Sequence, residues 1–188
     1  MVSIAERAYS TGQLTVVEKV RLADLLEDLD EHARSFEIAN ACLESEEFDD
    51  PDVRSNATAI AARTAMKLGR NEDAAKLVAA IPPSRLRGEL ASVAIQLKLE
   101  AGDKQAAFEL AKEVFSRDLA PGVIGIAAGL AQELGRQSDL EEVLFMNPEF
   151  ETRARHRPEI IWELERHGFD PEDIRERHAS ARRTRRRG

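Results

Sequence analysis

Four glycines constrain this chain more than any other feature. Gly69, Gly102, Gly135 and Gly168 stand 33 residues apart, and each closes a run of helix-forming residues. A glycine just past a helix takes the left-handed conformation that a side chain makes costly. The register extends beyond the turns. Eight residues before each glycine stand Ala61, Ala94, Ala127 and Ile160; five after come Ala74, Ala107 and Leu140; eight after come Leu77, Leu110 and Val143. In the last unit Asp173 and Glu176 replace the apolar residues at those two positions. A period in this range is the mark of a repeat architecture.

The repeating element is a pair of helices. Apolar residues at helical spacing precede each glycine, and start signals follow. Ser138 with Glu141 has capping-box spacing, and Asp170-Pro171 pairs an N-cap with a proline at the first helical position. Pro82, Pro83, Pro121, Pro148 and Pro158 fall at joints between units. Upstream, Thr15 to Glu18 opens a helix to about Leu29, Asp30 starts a second to about Glu46, and Asp49 to Asp52 opens the first clear repeat. The expectation is an all-α chain of about eleven helices: a short one before Gly12, then five antiparallel pairs. It is drawn as one helical-repeat domain over 1–182, irregular over 1–50 and regular over 51–182, with a disordered basic tail at 183–188.

Composition agrees with helices. Hydrophobic residues make up 43% of the chain, charged residues 33% and aromatics 5%. Alanine-rich runs such as 57–65 suit closely packed helices and suit sheets poorly. The start of the chain acquires charge by its sixth residue, so no secretory leader is expected. No window is apolar enough to span a bilayer, and a cytoplasmic location is the expectation. The single cysteine, Cys42, reads as a small buried side chain.

Gly102-Asp103-Lys104-Gln105-Ala106-Ala107 resembles the turn and small second-helix residue of tetratricopeptide repeats, and Gly69 to Ala74 is a looser copy. The resemblance covers roughly 51–182. It departs in period, 33 residues here against about 34, and in lacking an aromatic at Ala65, Lys98, Ala131 and Leu164. What the resemblance implies is a right-handed superhelix of stacked pairs. It also implies a concave groove lined by positions 13, 10, 6, 3 and 2 before each turn glycine. Those positions include Asn56, Arg63, Met66 and Lys67, then Ser92, Gln96 and Leu99, then Gly122, Gly125 and Gly129, then Arg155, Trp162 and Arg166.

Residue patterns that carry chemistry are few. His32, His156, His167 and His178 form no metal-binding pair, and Cys42 has no partner at ligand spacing. Asp49, Asp50 and Asp52 lack the central glycine and closing glutamate of a calcium loop. No enzymatic activity, metal or cofactor is expected.

Two surfaces stand out. Gly122, Gly125 and Gly129 fall within about 60° of one helix face, at a propensity cost of about 2–3 kcal/mol against alanine. They serve either close helix contact or a bare groove floor for a peptide or helix of another protein. The second surface is the arginine tail: Arg182, Arg183, Arg185, Arg186 and Arg187. It is a solvated end, a weak nucleic-acid footprint, or a dock for an acidic surface. The acidic candidate is residues 1–50 of a neighbouring copy, with 13 acidic and 4 basic side chains. The expected function is a protein–protein interaction scaffold, with self-assembly through charged ends as the alternative. Nucleic acid is not expected to be the partner, because the whole chain carries a net charge of -8.

Overall fold

The computed structural model describes residues 7, 9–44, 48, 50–117, 120–147 and 149–177, and among them it is helical with no strand. Residues 7, 9 and 10 are helical and end at Gly12. Then follow α1 (Val16–Asp28), α2 (His32–Glu44), α3 (Pro51–Lys67) and α4 (Asn71–Ala79). A single 3-10 turn, Pro83–Arg85, precedes α5 (Gly88–Glu100), α6 (Lys104–Phe115), α7 (Pro121–Glu133) and α8 (Gln137–Met146). α9 (Phe150–His156), α10 (Pro158–Arg166) and α11 (171–177) complete the described chain. The all-α expectation and the five helix pairs are met. α9 was not expected; it forms because Phe150 and Ala154, four residues apart, are both buried on one side of it.

Several helix starts follow the sequence signals. At α1 the Thr15 hydroxyl accepts the Glu18 N–H, and the Glu18 carboxylate accepts the Thr15 N–H at 2.9 Å. Asp50 accepts the Asp52 N–H at 2.8 Å, Asp103 that of Ala106 at 2.9 Å, and Asp170 that of Glu172 at 2.8 Å. Each satisfies an N–H that the first helical turn leaves without a partner. Ser138 does not cap. α8 starts one residue before it, and its N-cap position is Arg136, with no side-chain cap bond.

One turn joins the two helices of every pair. Gly69, Gly102, Gly135 and Gly168 have φ of 73°, 79°, 64° and 77°, and a fifth member, Asp30, has φ of 61°. At each, the turn residue donates its N–H to the carbonyl three residues back, and the next residue donates to the carbonyl five before itself. The first pair shows Asp30 to Glu27 at 3.0 Å and Glu31 to Leu26 at 2.9 Å; the last shows Gly168 to Glu165 and Phe169 to Leu164. This is the Schellman arrangement, and it satisfies carbonyls that a helix end would otherwise leave open.

Packing divides the chain into two compact units, residues 1–82 and 83–188, where the sequence drew one domain over 1–182. In the first unit α3 packs on both α1 and α2, and α4 on α3. In the second α7 packs on α5 and α6, α8 on α6, and α10 on α7. First helices therefore stack on first helices in both units, and in the second unit α8 packs likewise on α6. The repeat positions are buried: Leu22, Ala61, Ala94, Ala127 and Ile160 before the turn, and Ser35, Ala74, Ala107 and Leu140 after it. Ser35, in the alanine position of the first pair, donates to the Ala23 carbonyl at 2.7 Å, so its buried hydroxyl is satisfied. In the last described pair Glu176 is exposed and Asp173 pairs with Arg177.

Candidate functional site

The structure places the candidate groove residues in two groups, one per unit. In unit 1, Asn56 and Lys67 are exposed on α3. Arg63, between them, does not project freely. Its Nε donates to Glu27 at 2.8 Å and its Nη2 to the other carboxylate oxygen at 2.6 Å, with Asp24 at 3.5 Å. The Glu27 side chain is only 14% exposed, so this bidentate pair is partly desolvated and ties α3 to α1.

In unit 2, Gln96 is exposed on α5 and Arg166 on α10. Trp162 is 65% exposed, the most open of the large apolar side chains described. The three glycines of α7 do not form one bare floor. A Cβ built on Gly125 would stand 2.6 Å from the Glu163 carboxylate, and one on Gly129 would stand 3.3 Å from the His167 ring. These two glycines admit side chains of the following pair, the close-contact use of a small-residue stripe. Gly122 is exposed, and its Cβ would meet the Ser92 hydroxyl at an ordinary 3.5 Å. Arg155 belongs to α9, which ends before α10 begins, so it is not on the helix that carries Trp162. Arg182, Arg183, Arg185, Arg186 and Arg187 lie outside the described residues.

Two side-chain clusters escaped the sequence reading, and they are copies of one another. In unit 1 the Arg70 guanidinium lies 4.2 Å from the centre of the Phe36 ring and its Nε donates to Asp73 at 2.8 Å. In unit 2 Arg136 lies 4.8 Å from the Phe108 ring and bonds Asp139 in the same way, at 2.8 Å. Arg136 also reaches Glu109 at 2.6 Å, and Lys112 pairs with Glu109 at 3.0 Å. Hydrogen bonds from Lys112 and then Arg136 hold the Glu109 carboxyl below the usual range, while Asp139 and Glu109 push Arg136 up. The signal was present as Gly-Arg-x-x-Asp at Gly69 and again at Gly135, with Phe-Glu-Ile/Leu-Ala at Phe36 and Phe108. It recurs in every second pair and so lies outside the 33-residue register of the turn glycines.

Other groups are structural. Cys42 is buried on α2, and burial pushes its thiol up, away from the reactive thiolate. Buried Asn147 donates its amide to the Phe115 carbonyl at 3.2 Å and accepts the Glu149 N–H at 2.9 Å, so it closes the end of α6 and opens the turn into α9. Beside it Ser116, Glu142, Val143 and Met146 border a shallow cleft of about 250 Å³. Among the described residues, no group of three or more His, Cys, Asp or Glu side chains could hold a metal ion, and no helix is long and apolar enough to cross a membrane. Comparison with known proteins adds no family: no protein-family model matches the chain, and no curated protein and no solved structure matches it.

Proposed function

We propose that this chain is a non-enzymatic interaction scaffold of tetratricopeptide-like helix pairs, working in the cytoplasm and holding a segment of another protein along its first helices. The observation that supports this is the common register. One Schellman turn is repeated five times and first helix packs on first helix within each unit, which supports equivalent positions of successive first helices sharing an edge. Those positions carry exposed Asn56 and Lys67 in unit 1, and Gln96, Trp162 and Arg166 in unit 2. A tryptophan beside an arginine is the residue pairing enriched where proteins bind one another. The right-handed winding implied by the family resemblance is part of the same proposal. A protein segment suits the surface better than nucleic acid, whose phosphates the net charge of -8 repels.

Photo-crosslinking tests the reading. A crosslinking amino acid placed at Gln96 or at Asn56 should give discrete adducts with a protein from native lysate, and one placed at exposed Gln105 on second helix α6 should not. Equal labelling from all three positions, or none from Gln96 and Asn56, would remove the groove.

A further inference from the structure

Several acids of unit 2 are matched by cations. Glu109 has Lys112 and Arg136, Glu113 has Arg117, and Glu141 has Arg177. On α10 Glu159, Glu163, Glu165 and Arg166 take part in no ion pair among the described residues. Glu163 and Arg166 have the three-residue spacing that would allow one. Glu159 and Glu163, four residues apart on one side of the helix, repel each other instead.

Glu163 is half-buried, and its carboxylate lies against α7. A Cβ on Gly125 would stand 2.6 Å from its Oε2 and 3.1 Å from its Cδ. Gly125 is inside α7, where glycine lowers helix stability against alanine, so the room it leaves comes at the expense of the helix. That room holds a carboxylate drawn partly out of water with no cation beside it. Such a charge is unfavourable until a cation reaches it. His167 does not supply one: its ring lies over Gly129, one turn along α7. Glu133, further along α7, is held by Lys104 at 2.6 Å. Beside the carboxylates, three residues from Glu159 on the same side of α10, stands Trp162, 65% exposed.

We propose that the exposed face of α10 docks a basic segment of another protein, a lysine or arginine side chain entering between Trp162 and the carboxylates of Glu159 and Glu163. An indole ring attracts a cation over its face, and the two carboxylates accept its N–H groups in charge-assisted bonds. Three carboxylates stand against one guanidinium on this helix, and the net charge of -8 on the whole chain draws a basic segment in. An organic cation suits the place better than a metal ion, because among the described residues no group of three or more His, Cys, Asp or Glu side chains could hold one. Arg166 is the like charge on the face. Four residues after Trp162 and three after Glu163, it competes for the same place and weakens the docking. This inference rests on the scaffold reading, to whose bound segment it gives a charge. Crosslinks from Gln96 and Asn56 to an acidic protein would leave that reading standing and remove this one. A basic peptide bound at α10 without such crosslinks would do the reverse.

Titration of the full chain with a short arginine–glycine peptide tests it, read by emission from the sole tryptophan. The emission should change to saturation, and the affinity should fall as salt rises. A glutamate–glycine peptide of equal length should leave the emission unchanged. Glu163→Gln should weaken the affinity about tenfold at unchanged helical circular dichroism. Gly125→Ala keeps every charge but displaces the carboxylate, the end of a flexible side chain. It should weaken binding with no loss of thermal stability, a combination that a merely structural seat would not produce. Arg166→Ala should strengthen binding severalfold. A flat titration, an equal response to both peptides, full affinity in Glu163→Gln or in Gly125→Ala, or weaker binding by Arg166→Ala would each overturn the proposal. If removing residues 178–188 by itself shifts the emission and the arginine–glycine peptide restores it, the occupant is the chain's own arginine stretch, and an outside partner is likewise excluded.

Discussion

Four residues carry consequences that their neighbours do not. Asp30 takes a left-handed conformation, at φ of 61°, in the turn where the other four pairs use glycine. That conformation costs a side chain about 1 kcal/mol or more. Asp30→Gly should therefore raise stability by about 0.5–1 kcal/mol, read as a higher urea midpoint at unchanged slope. Gly122 is the reverse case: it sits in the first turn of α7 with room for a methyl group. Gly122→Ala should stabilise by up to about 1 kcal/mol, whereas Gly125→Leu, whose side chain must displace Glu163, should destabilise. Asn147 is buried and bonds across from α8 to the end of α6. Asn147→Ala strands those carbonyls and should cost about 1–3 kcal/mol, lowering the melting temperature.

At the scale of elements, the helix pairs were legible because their signals are local: a left-handed glycine, an N-capping acid, a proline at the first position. Asp30 was read as a helix start, and its turn role was hidden because aspartate caps helix starts as well as tolerating φ above zero. The groove was less legible. Spacing placed the glycines of α7 on one face but could not tell what covers them, which depends on Glu163 and His167 about forty residues on. Arg63 likewise read as a groove residue, because its partner Glu27 lies in another pair.

The Arg136 cluster joins α8 to α6 through charge and so responds to pH. The Glu109 carboxyl is held below its ordinary value by Lys112 and Arg136, so protonating it is harder in the folded chain. Its contribution is complete above the ordinary carboxylate value of about 4.3 and is lost as pH falls through the lower folded value. The Glu109 side chain is half exposed, so the contribution is a surface one, at most about 1 kcal/mol. Glu109→Gln should melt lower than the unmodified chain near neutral pH, and the gap should close on acidification below about pH 4.3. A gap that stays constant into acid would mean that the carboxylate charge is not what Lys112 and Arg136 respond to.

Over the whole molecule, each unit has its own core, and this governs how the chain should come apart. Unit 1 is packed around Leu26, Phe36, Ile60 and a bank of alanines, with its first helices tied by Arg63 and Glu27. Unit 2 contains Phe108, Phe115 and Phe150, all fully buried, along with Ile124, Leu144 and Ile160. Helix-pair arrays are stabilised mainly by contacts between neighbours, so a segment that keeps its neighbours keeps most of its stability. A fragment of residues 83–188 should therefore be helical and unfold cooperatively when made alone. A fragment of residues 1–82 is shorter, and its small alanine side chains bury less surface, so it should be marginal: helical in the cold, with a broad melt at lower temperature. Circular dichroism melts of the two fragments beside the full chain check this. An 83–188 fragment without a cooperative transition would show that its aromatic core does not suffice, and a 1–82 fragment melting above it would reverse the assigned order of stability.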